Sequence, residues 1–185
     1  MIPKEMLKDT GEWLSGTGPD AEIVISSRVR LARNVQGFRF ITKMAPEERA
    51  NCEELVRRKL LDAKVVPTSR YLELAEADPL DRKLLVERHL ISKEHEDARH
   101  RRGVAIGEGE ALSIMINEED HVRLQGLHSG FQLPATAKAA FDVDQRREEV
   151  LDYAFSPQLG YLTACPTNVG TGMRVSVMLH LPALV

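Results

Sequence analysis

Apolar and polar positions alternate along several short segments of the chain, which is the pattern of β-strands with two different faces. The clearest case is ALSIMI at 111–116, where Leu112, Ile114 and Ile116 occupy one set of alternate positions. A run of β-branched residues at 23–25 predicts a strand within 21–33. Further strands are predicted at 71–74, 160–164 and 173–181.

Apolar residues three and four positions apart predict helices between these strands. Pro46 can occupy a first helical turn, and about four turns are predicted after it from the spacing of Cys52, Leu55, Val56 and Leu60. Cys52 is therefore predicted to be a small core residue. A short helix is predicted at 81–89. A longer one is predicted at 134–155, with the inward-facing residues Ala137, Ala140, Phe141, Val150, Leu151 and Ala154.

Short strands mixed with irregularly spaced helices favour an α+β fold over a regular doubly wound one. Neither repeats nor a long linker divides the sequence, so we expect one domain or part of one. The segment 92–102 is predicted to be a polar, mobile excursion. The apolar residues at 181–185 predict a domain that is truncated at its C-terminus.

The composition is that of a soluble globular protein, since 43% of the 185 residues are hydrophobic, 29% are charged and the formal net charge is -3. No apolar run approaches the ~20 residues of a membrane span, and a cytoplasmic location is predicted. Two cysteines do not make a disulfide framework. The charge balance argues against general nucleic-acid binding, and the basic cluster at 99–102 is predicted to be a solvated loop.

Two arginines, Arg28 and Arg30, stand two residues apart in the first predicted strand, so their side chains share one face. Guanidinium groups on one face repel each other unless an anion lies between them. Phosphate suits such a pair, because each guanidinium offers a planar fork of donors to its oxygens. The alternative interpretation is that each arginine forms a surface ion pair with a nearby carboxylate.

Three carboxylates, Glu118, Glu119 and Asp120, follow the predicted strand at 111–116. Such a cluster can provide a general base or hold a cationic substrate, and Arg123 could reach an anion beside it. The alternative interpretation is a helix N-terminus, where acidic side chains interact favourably with the helix dipole.

The stretch CPTNVGTGMR at 165–174 combines a cysteine, a loop of small and hydroxylated residues, and an arginine. Such a backbone lets N–H groups approach an oxyanion, or holds a thiol near a charged ligand. In the strand that follows, alternation puts Arg174, Ser176 and Met178 on one face, with Val175 and Val177 on the other. The stretch is neither a Walker A loop nor a dinucleotide G-x-G-x-x-G motif.

The histidines give no metal site. His95 and His100 are five residues apart, which would rotate them by about 140° on a helix, whereas an H-E-x-x-H zinc site needs both on one face. His89 is open to two interpretations, a packed histidine or a ligand contact.

Taken together, these segments resemble the phosphagen, or guanidino, kinases, and most closely their bacterial branch, the protein arginine kinases. The resemblance rests on six motifs in the family's order, namely SSRVRLARN at 26–34, ERHLIS at 87–92, NEEDHVR at 117–123, DYAF at 152–155, GYLT at 160–163 and CPTNVGTGMRVSV at 165–177.

The resemblance implies an ATP:guanidino phosphotransferase with a mostly antiparallel sheet flanked by helices. It implies that ATP binds with Mg²⁺ and that four arginines hold the phosphates, Arg28, Arg30, Arg123 and Arg174. Glu119 would orient the substrate guanidinium and act as the base, with Cys165 beside that guanidinium. His89 would lie near the nucleotide, within a wall that includes Ser26, Ser27, Val29, Val175, Ser176, Val177 and Met178.

The place of the first motif bears on the substrate. Small-substrate guanidino kinases carry a helical domain before the catalytic one, whereas SSRVR begins here at residue 26, which favours arginine side chains of proteins over free arginine or creatine. The family also has a later Arg-Gly-x-x-Gly-Glu loop that these 185 residues do not reach, so we expect little kinase activity from them alone. An inactive nucleotide-binding fragment is the third interpretation.

The protein-directed branch implies partners as well. They are arginine-bearing protein substrates, an activator protein, a stress-gene repressor and a Clp protease, in a role in the stress response and protein quality control. Homo-oligomerisation is compatible with the resemblance, whereas membrane association and direct nucleic-acid binding are not expected.

Overall fold

The computed structural model describes residues 10–62, 65, 70–97 and 100–182. In these residues six strands form one sheet in the order β2-β3-β4-β5-β1-β8, and every neighbouring pair is antiparallel. The six strands are β1 (Val24–Arg33), β2 (Arg70–Glu73), β3 (Gly103–Ile106), β4 (Leu112–Ile116), β5 (Val122–Ser129) and β8 (Met173–Leu179). A small hairpin pairs β6 (Phe155–Ser156) with β7 (Gly160–Tyr161).

Three α-helices flank the sheet, α1 (Pro46–Asp62), α2 (Pro79–Glu87) and α3 (Leu133–Glu148). Helices α1 and α3 share one apolar core with alternate residues of the central strands, including Val29, Leu31, Cys52, Val56, Ile114, Leu124, Ala140 and Val143. We call the side of the sheet that carries Val29 and Leu31 the helix face. The expected α+β fold, with a mostly antiparallel sheet flanked by helices, is confirmed.

The opposite side of the sheet, which carries Arg28 and Arg30, is here called the open face. Helix α2 covers only its outer part, where Leu85 packs with Val104, Ile106 and Met115 of β3 and β4 in a second apolar cluster. Asp78 caps α2 by accepting a hydrogen bond from the Leu80 N–H at 2.8 Å. The part of the open face formed by β5, β1 and β8 is left accessible to a ligand.

Several predictions from the sequence are confirmed by these elements. The strands predicted at 21–33, 71–74 and 111–116 and the helices predicted after Pro46 and at 81–89 are present, with ends that differ by a few residues. Cys52 is fully buried in the core, and this burial raises the pKa of its thiol to about 12.

The long helix was predicted to reach residue 155, and this is wrong, because α3 ends at Glu148. The chain beyond it is extended beside the end of β1: Tyr153 forms a bridge with Val35, and the Ala154 N–H donates to the Asn34 carbonyl at 2.8 Å. Phe141, predicted to face inward, is 45% exposed. Pairing with β1 therefore overrides the local helical spacing.

The segment at 92–102 was predicted to be mobile and solvated, whereas several of its described residues, which are 92–97 and 100–102, contact the sheet. His95 is fully buried, with its Nε2 2.9 Å from the Gly103 carbonyl oxygen. Arg101 pairs with Glu53 and Glu73, and Arg102 donates to the backbone carbonyls of residues 94, 97 and 117. The two arginines thus hold the segment onto the sheet, while Arg99 lies outside the described residues.

Two further strand predictions change in length. The strand predicted at 160–164 is reduced to Gly160–Tyr161. Beyond it the Leu162 N–H still donates to the Ala154 carbonyl at 2.9 Å, while side chains of Asn34 and Asp120 bond the Leu162 carbonyl and the Ala164 N–H. The last predicted strand ends at Leu179. The strands β3, β5 and β6 were not predicted from the sequence. Within the described ranges, no helix is both long and apolar enough to cross a membrane.

Candidate functional site

A cleft on the open face runs along β1 and consists of three adjoining cavities. The middle cavity is lined by Arg28, Arg30, Arg123, His89, Lys93 and Gln125, among others. One end is lined by Arg30, Arg123, Arg174, Glu119 and Asn168. The other end is lined by Ser26, Arg28, His89, Leu127, Ser176, Val177 and Met178. The cleft thus carries a basic centre, a mixed acidic and basic end, and a less polar end.

Four arginines converge at the centre and at the mixed end. Arg30 of β1 is directly opposite Arg174 of β8, and the neighbouring residue pairs place Arg28 opposite Ser176 and Ala32 opposite Arg123. Residues directly opposite each other in an antiparallel pair point to the same side of the sheet. Alternation in three adjacent strands therefore brings the four guanidinium groups to one place.

The cluster carries little compensating negative charge at Arg28 and Arg30. Burial, with the repulsion of Arg28, Arg123 and Arg174, lowers the pKa of Arg30 to about 10. Burial and the same kind of repulsion also lower the pKa of Arg28, whose Nε donates to Ser176 Oγ at 3.1 Å. Among the described residues neither arginine forms an ion pair, so the alternative of surface ion pairs is wrong for both.

Arg123 differs, because two glutamates hold it. Its Nη1 lies 2.9 Å from Glu118 Oε2, and its Nη2 donates to Glu119 Oε2 at 2.7 Å. Glu118 is almost fully buried and also accepts a hydrogen bond from Ser92 Oγ at 2.7 Å, whereas the Glu119 side chain is 47% exposed. Glu119 is therefore the carboxylate that a ligand in the cleft could reach.

The acidic cluster lies in the hairpin between β4 and β5, and the alternative of a helix N-terminus is wrong. Asn117 has a left-handed backbone, with φ of 59°, and its N–H donates to the His121 carbonyl at 2.9 Å to close the turn. The Asn117 amide also donates to the carbonyls of Arg49 and Arg101. The turn that presents Glu119 is thus fixed from three sides.

Asp120 ties this hairpin to the loop that leads to Cys165. Its fully buried carboxylate accepts from the Ala164 N–H at 2.7 Å and from Asn34 Nδ2 at 2.6 Å, and burial raises its pKa. Asn34 in turn accepts from the His121 N–H at 2.9 Å. The end of β1, the Glu119 hairpin and the 162–165 loop therefore form one connected polar network.

Cys165 lies at the start of a short 3-10 helix, Pro166–Asn168. Its Sγ is 3.0 Å from Thr167 Oγ1, and its carbonyl accepts from the Asn168 N–H at 3.0 Å. Asn168 lines the mixed end of the cleft with Glu119. Gly172 then brings the loop against β1, where its carbonyl accepts from the Ala32 N–H at 2.7 Å; a Cβ on it would lie 2.5 Å from the Ala32 oxygen.

The less polar end of the cleft holds His89, which follows α2. Burial and the positive charge of Arg28 lower the pKa of His89. Ser26, Ser176 and Met178 line this end together with Leu127. These residues give one side of the cleft apolar surface with a few hydroxyl groups.

Part of the predicted wall is corrected by the strand alternation. Ser27, Val29 and Val175 lie on the helix face, so their side chains point away from the cleft. The Ser27 hydroxyl instead donates to the Gly130 carbonyl at 2.7 Å and accepts from the Gln132 N–H at 2.9 Å. These three residues can offer only their backbone to a ligand. Val177 is directly opposite Ser27 and so lies on the helix face as well, although it is among the residues that line the less polar end.

Four of the cleft residues named above were not predicted, Lys93, Gln125, Leu127 and Asn168. Gln125 stands two residues after Arg123 on β5, so strand alternation was the signal that could have found it. Lys93 adds positive charge beside the arginines, and Asn168 lies beside Glu119. Asn168 stands within the stretch CPTNVGTGMR at 165–174, so its neighbourhood did carry a signal, whereas Lys93 is placed beside the arginines by the packing of distant segments.

The arrangement can bind an anion and a cation next to each other. Arginine forks are matched to phosphate oxygens, while a half-exposed carboxylate beside them can hold a guanidinium group. No cluster of three or more His, Cys, Asp or Glu side chains that could hold a metal occurs among the described residues. Two glutamates, Glu118 and Glu119, form ion pairs with Arg123.

Comparison with known proteins places these features in a family context. The model of the ATP:guanido phosphotransferase C-terminal catalytic domain matches residues 51–185. A protein-arginine kinase of Symbiobacterium thermophilum is 49% identical over 176 residues, which are 94% of this chain and 50% of that protein. One of Bacillus cereus strain B4264 is 43% identical over 186 residues, covering 100% of this chain and 52% of that protein. The chain spans about half the length of the curated relatives it matches.

Solved structures agree with this match. The duplicated taurocyamine kinase from Schistosoma mansoni with bound transition state analog components superposes with a TM-score of 0.82 at 30% identity, over 91% of this chain and 25% of that one. Lombricine kinase superposes with a TM-score of 0.75 at 26% identity, over 92% of this chain and 51% of that one.

Proposed function

Because the chain belongs to the ATP:guanido phosphotransferase family, we propose that the protein transfers the γ-phosphoryl group of ATP to the guanidinium group of arginine side chains in proteins. The observation that carries this proposal is the convergence of Arg28, Arg30, Arg123 and Arg174 beside the accessible carboxylate of Glu119. A phosphate chain and a guanidinium group need opposite charges at adjacent places, and the cleft offers both.

The roles follow from the charges along the cleft. The less polar end, with His89, Leu127 and Met178, accepts the adenosine, and the arginines neutralise the phosphates. Charge neutralisation and alignment supply most of the catalysis in phosphoryl transfer. Magnesium enters as part of the MgATP substrate, since Mg²⁺ in such sites is bound largely by phosphate oxygens, water and one or two carboxylates.

Glu119 acts on the acceptor. A guanidinium nitrogen attacks the γ-phosphorus with its electron pair, the bond to the β–γ bridging oxygen breaks, and ADP leaves with that electron pair. The proton lost by the attacking nitrogen passes to the Glu119 carboxylate. The Nη2 of Arg123 donates to this carboxylate at 2.7 Å, which shows that Glu119 can hold a guanidinium group of the kind the acceptor carries.

A second candidate function is transfer to a small guanidino compound. It is favoured by the structural likeness to taurocyamine kinase and lombricine kinase, at 30% and 26% identity. The protein acceptor has the stronger support, because the relatives named protein-arginine kinase are 43% to 49% identical. We extend the proposal to the cellular setting implied by the sequence resemblance: a cytoplasmic stress-response kinase whose partners include an activator protein, a stress-gene repressor and a Clp protease.

The test is transfer of labelled γ-phosphate by the full-length protein to a casein-like protein, to free arginine and to taurocyamine. We expect labelling of the protein acceptor, with label that is lost in acid because a phosphorus–nitrogen bond to arginine is acid-labile. The variant Arg28→Ala should weaken ATP binding about tenfold or more, since it removes a charged hydrogen-bond donor from the phosphates.

The matched control is Arg146→Ala, which removes an exposed arginine from α3 on the helix face. It should leave ATP binding and transfer unchanged. Label on free arginine or taurocyamine alone would support the second candidate. ATP binding without transfer to any acceptor would contradict both and leave a nucleotide-binding protein.

A further inference from the structure

Trp13 is the sole tryptophan of the chain and lies outside both the family-model match at 51–185 and the six motifs of the sequence. It belongs to a short 3-10 helix, Glu12–Leu14, and only 5% of its surface is exposed. A buried tryptophan usually packs against other side chains and has a hydrogen-bond acceptor for its indole N–H.

That partner is the turn at 88–89. The indole Nε1–H donates to the Arg88 carbonyl at 3.2 Å. The indole also meets the His89 imidazole edge to face, with ring centroids 4.8 Å apart and an interplanar angle of 88°. Edge-to-face packing fixes the orientation of a ring as well as its place. Trp13 thus contacts the histidine that lines two of the three cavities of the cleft.

His89 needs such support, because its backbone is left-handed, with φ of 56°. This conformation is uncommon for a residue other than glycine and persists only where surrounding contacts hold it. Its N–H donates to the Val86 carbonyl at 2.9 Å, and its own carbonyl accepts from Gln125 Nε2 at 2.5 Å. These two hydrogen bonds hold the backbone of His89, whereas the ring of Trp13 packs against its imidazole.

The segment that carries Trp13 is itself fastened to the sheet. Glu12 Oε2 accepts from the Ser129 N–H at 3.1 Å at the end of β5. Gly18 packs so closely that a Cβ on it would lie 1.9 Å from the Ser129 carbonyl oxygen. The segment therefore holds a defined position from which Trp13 can orient His89.

We propose that Trp13 is a positioning residue that fixes the His89 imidazole at the less polar end of the cleft and thereby sets the affinity for the adenosine part of ATP. This inference rests on the proposed function, because it takes the cleft to be a nucleotide site. A loose imidazole would have to be ordered each time ATP binds, and that cost would appear in ATP affinity. The chemistry at Glu119 lies at the other end of the cleft and is left unaffected.

The experiment compares the full-length protein with Trp13→Leu, Trp13→Phe and the control Leu14→Ala, which alters a 48%-exposed neighbour in the same 3-10 helix. Trp13→Leu should raise the KM for ATP about tenfold, the size of an aromatic contact together with its hydrogen bond. The kcat and the KM for the guanidino acceptor should stay within about twofold. Trp13→Phe keeps a ring beside His89 and should recover most of the ATP affinity. Leu14→Ala should match the parent protein.

Coupling between the two residues identifies the route of the effect. His89→Ala should raise the KM for ATP by itself, and adding Trp13→Leu or Trp13→Phe to it should raise the KM no further. Independent effects of the Trp13 and His89 variants, whose fold-changes in KM multiply, would overturn the inference. An unchanged KM for ATP in both Trp13 variants would overturn it as well. So would a fall in kcat of the same size as the rise in the KM for ATP and in the KM for the acceptor. If Trp13→Leu does not fold, Trp13→Met takes its place with and without His89→Ala, because Met also removes the ring and the indole donor but fills more of the volume. Failure of the proposed function looks different, since Arg28→Ala and His89→Ala would then leave ATP binding unchanged.

Discussion

The helix face and the open face of the sheet are built from the same strands yet handle charge in opposite ways. On the helix face, Arg33 donates to Asp144 at 2.6 Å, and Arg147 contacts the same carboxylate at 2.5 Å. On the open face, Arg30 stands directly opposite Arg174. In the described part of the chain no carboxylate pairs with Arg28 or Arg30, whereas Arg123 on the same face is paired with Glu118 and Glu119. One face neutralises its charges internally and the other leaves them for a ligand.

This difference separates stability from function along a single strand. In β1, Val29 and Leu31 are fully buried on the helix face, while Arg28 and Arg30 between and beside them line the cleft. Like charges directly opposite each other in a sheet destabilise it. The helix face must therefore supply the apolar burial that lets the open face carry unneutralised arginines. Variants on the two faces should have separable effects.

The largest effect is expected at the tip of the open face. Glu119→Gln in the full-length protein should lower kcat about 10²- to 10³-fold, because the amide can neither take the proton nor balance the guanidinium charge. The free energy of unfolding should change by less than about 0.5 kcal/mol, since this side chain is half-exposed. Steady-state phosphoryl transfer and denaturant titration measure the two quantities.

The control for this variant is Glu54→Gln, an exposed glutamate on α1, on the other side of the sheet. It should leave kcat unchanged. A loss of less than about tenfold for Glu119→Gln would show that another group takes the proton.

The next effect belongs to the helix face. Leu31→Ala should reduce the free energy of unfolding by about 3 kcal/mol, because it removes a fully buried side chain and leaves a cavity under α1 and α3. The KM for ATP should be unchanged below the unfolding transition. Leu80→Ala, at a position that is 74% exposed, is the control and should shift stability little. A raised KM in Leu31→Ala would mean that the two faces are coupled.

The sequence predicts which face of the sheet a residue occupies wherever that follows from the alternation of side chains along a strand. The pairing of Arg28 with Arg30, and of Arg174 with Ser176 and Met178, follows from alternation and agrees with the strand register. The same rule would have excluded Ser27 and Val29 from the cleft wall and included Gln125. The resemblance to the family selected Glu119 from the three candidate carboxylates at 118–120, which alternation cannot do because the residue lies in a turn.

Other features depend on contacts between distant segments and left no local signal. The helix predicted to 155 ends at Glu148 because Tyr153 pairs with Val35, more than a hundred residues away. The contact of Trp13 with His89 joins residues 76 positions apart, by their numbering. Local propensity is overridden in each case by tertiary packing.

A smaller effect is expected from pH. Burial lowers the pKa of His95 to about 4, below its ordinary value, so between that pKa and about 6.5 the unfolded chain binds more protons than the folded one. Stability contributed by the neutral imidazole is therefore present above pH 6.5 and is lost as the pH falls. Between pH 7 and pH 5.5 this should cost about 1 kcal/mol.

The measurement compares urea titrations of the parent protein and His95→Gln across this range. Gln keeps a polar group for the Gly103 contact but does not titrate, so the variant should lose less stability on acidification. Asp120 works in the opposite direction, since burial raises its pKa, and it is common to both proteins. Parallel pH curves for the two proteins would contradict the assignment to His95.

The smallest expected change is the most direct test of the difference between the faces, because its sign is unusual. Arg30→Met should raise the stability of the nucleotide-free protein by about 0.5 kcal/mol, since it removes a half-buried charge that stands opposite Arg174 and near Arg28. The gain should shrink in high salt, which screens the repulsion in the parent protein, and ATP should bind more weakly. Arg146→Met on the helix side, where the arginine is exposed, is the matched control and should show neither the gain nor the salt dependence. Thermal unfolding at low and high salt, with and without ATP, measures all of these. If Arg30→Met destabilised the nucleotide-free protein, the Arg30 side chain would stabilise the fold. The positive charge on the open face would then not be a destabilising feature that a bound ligand neutralises.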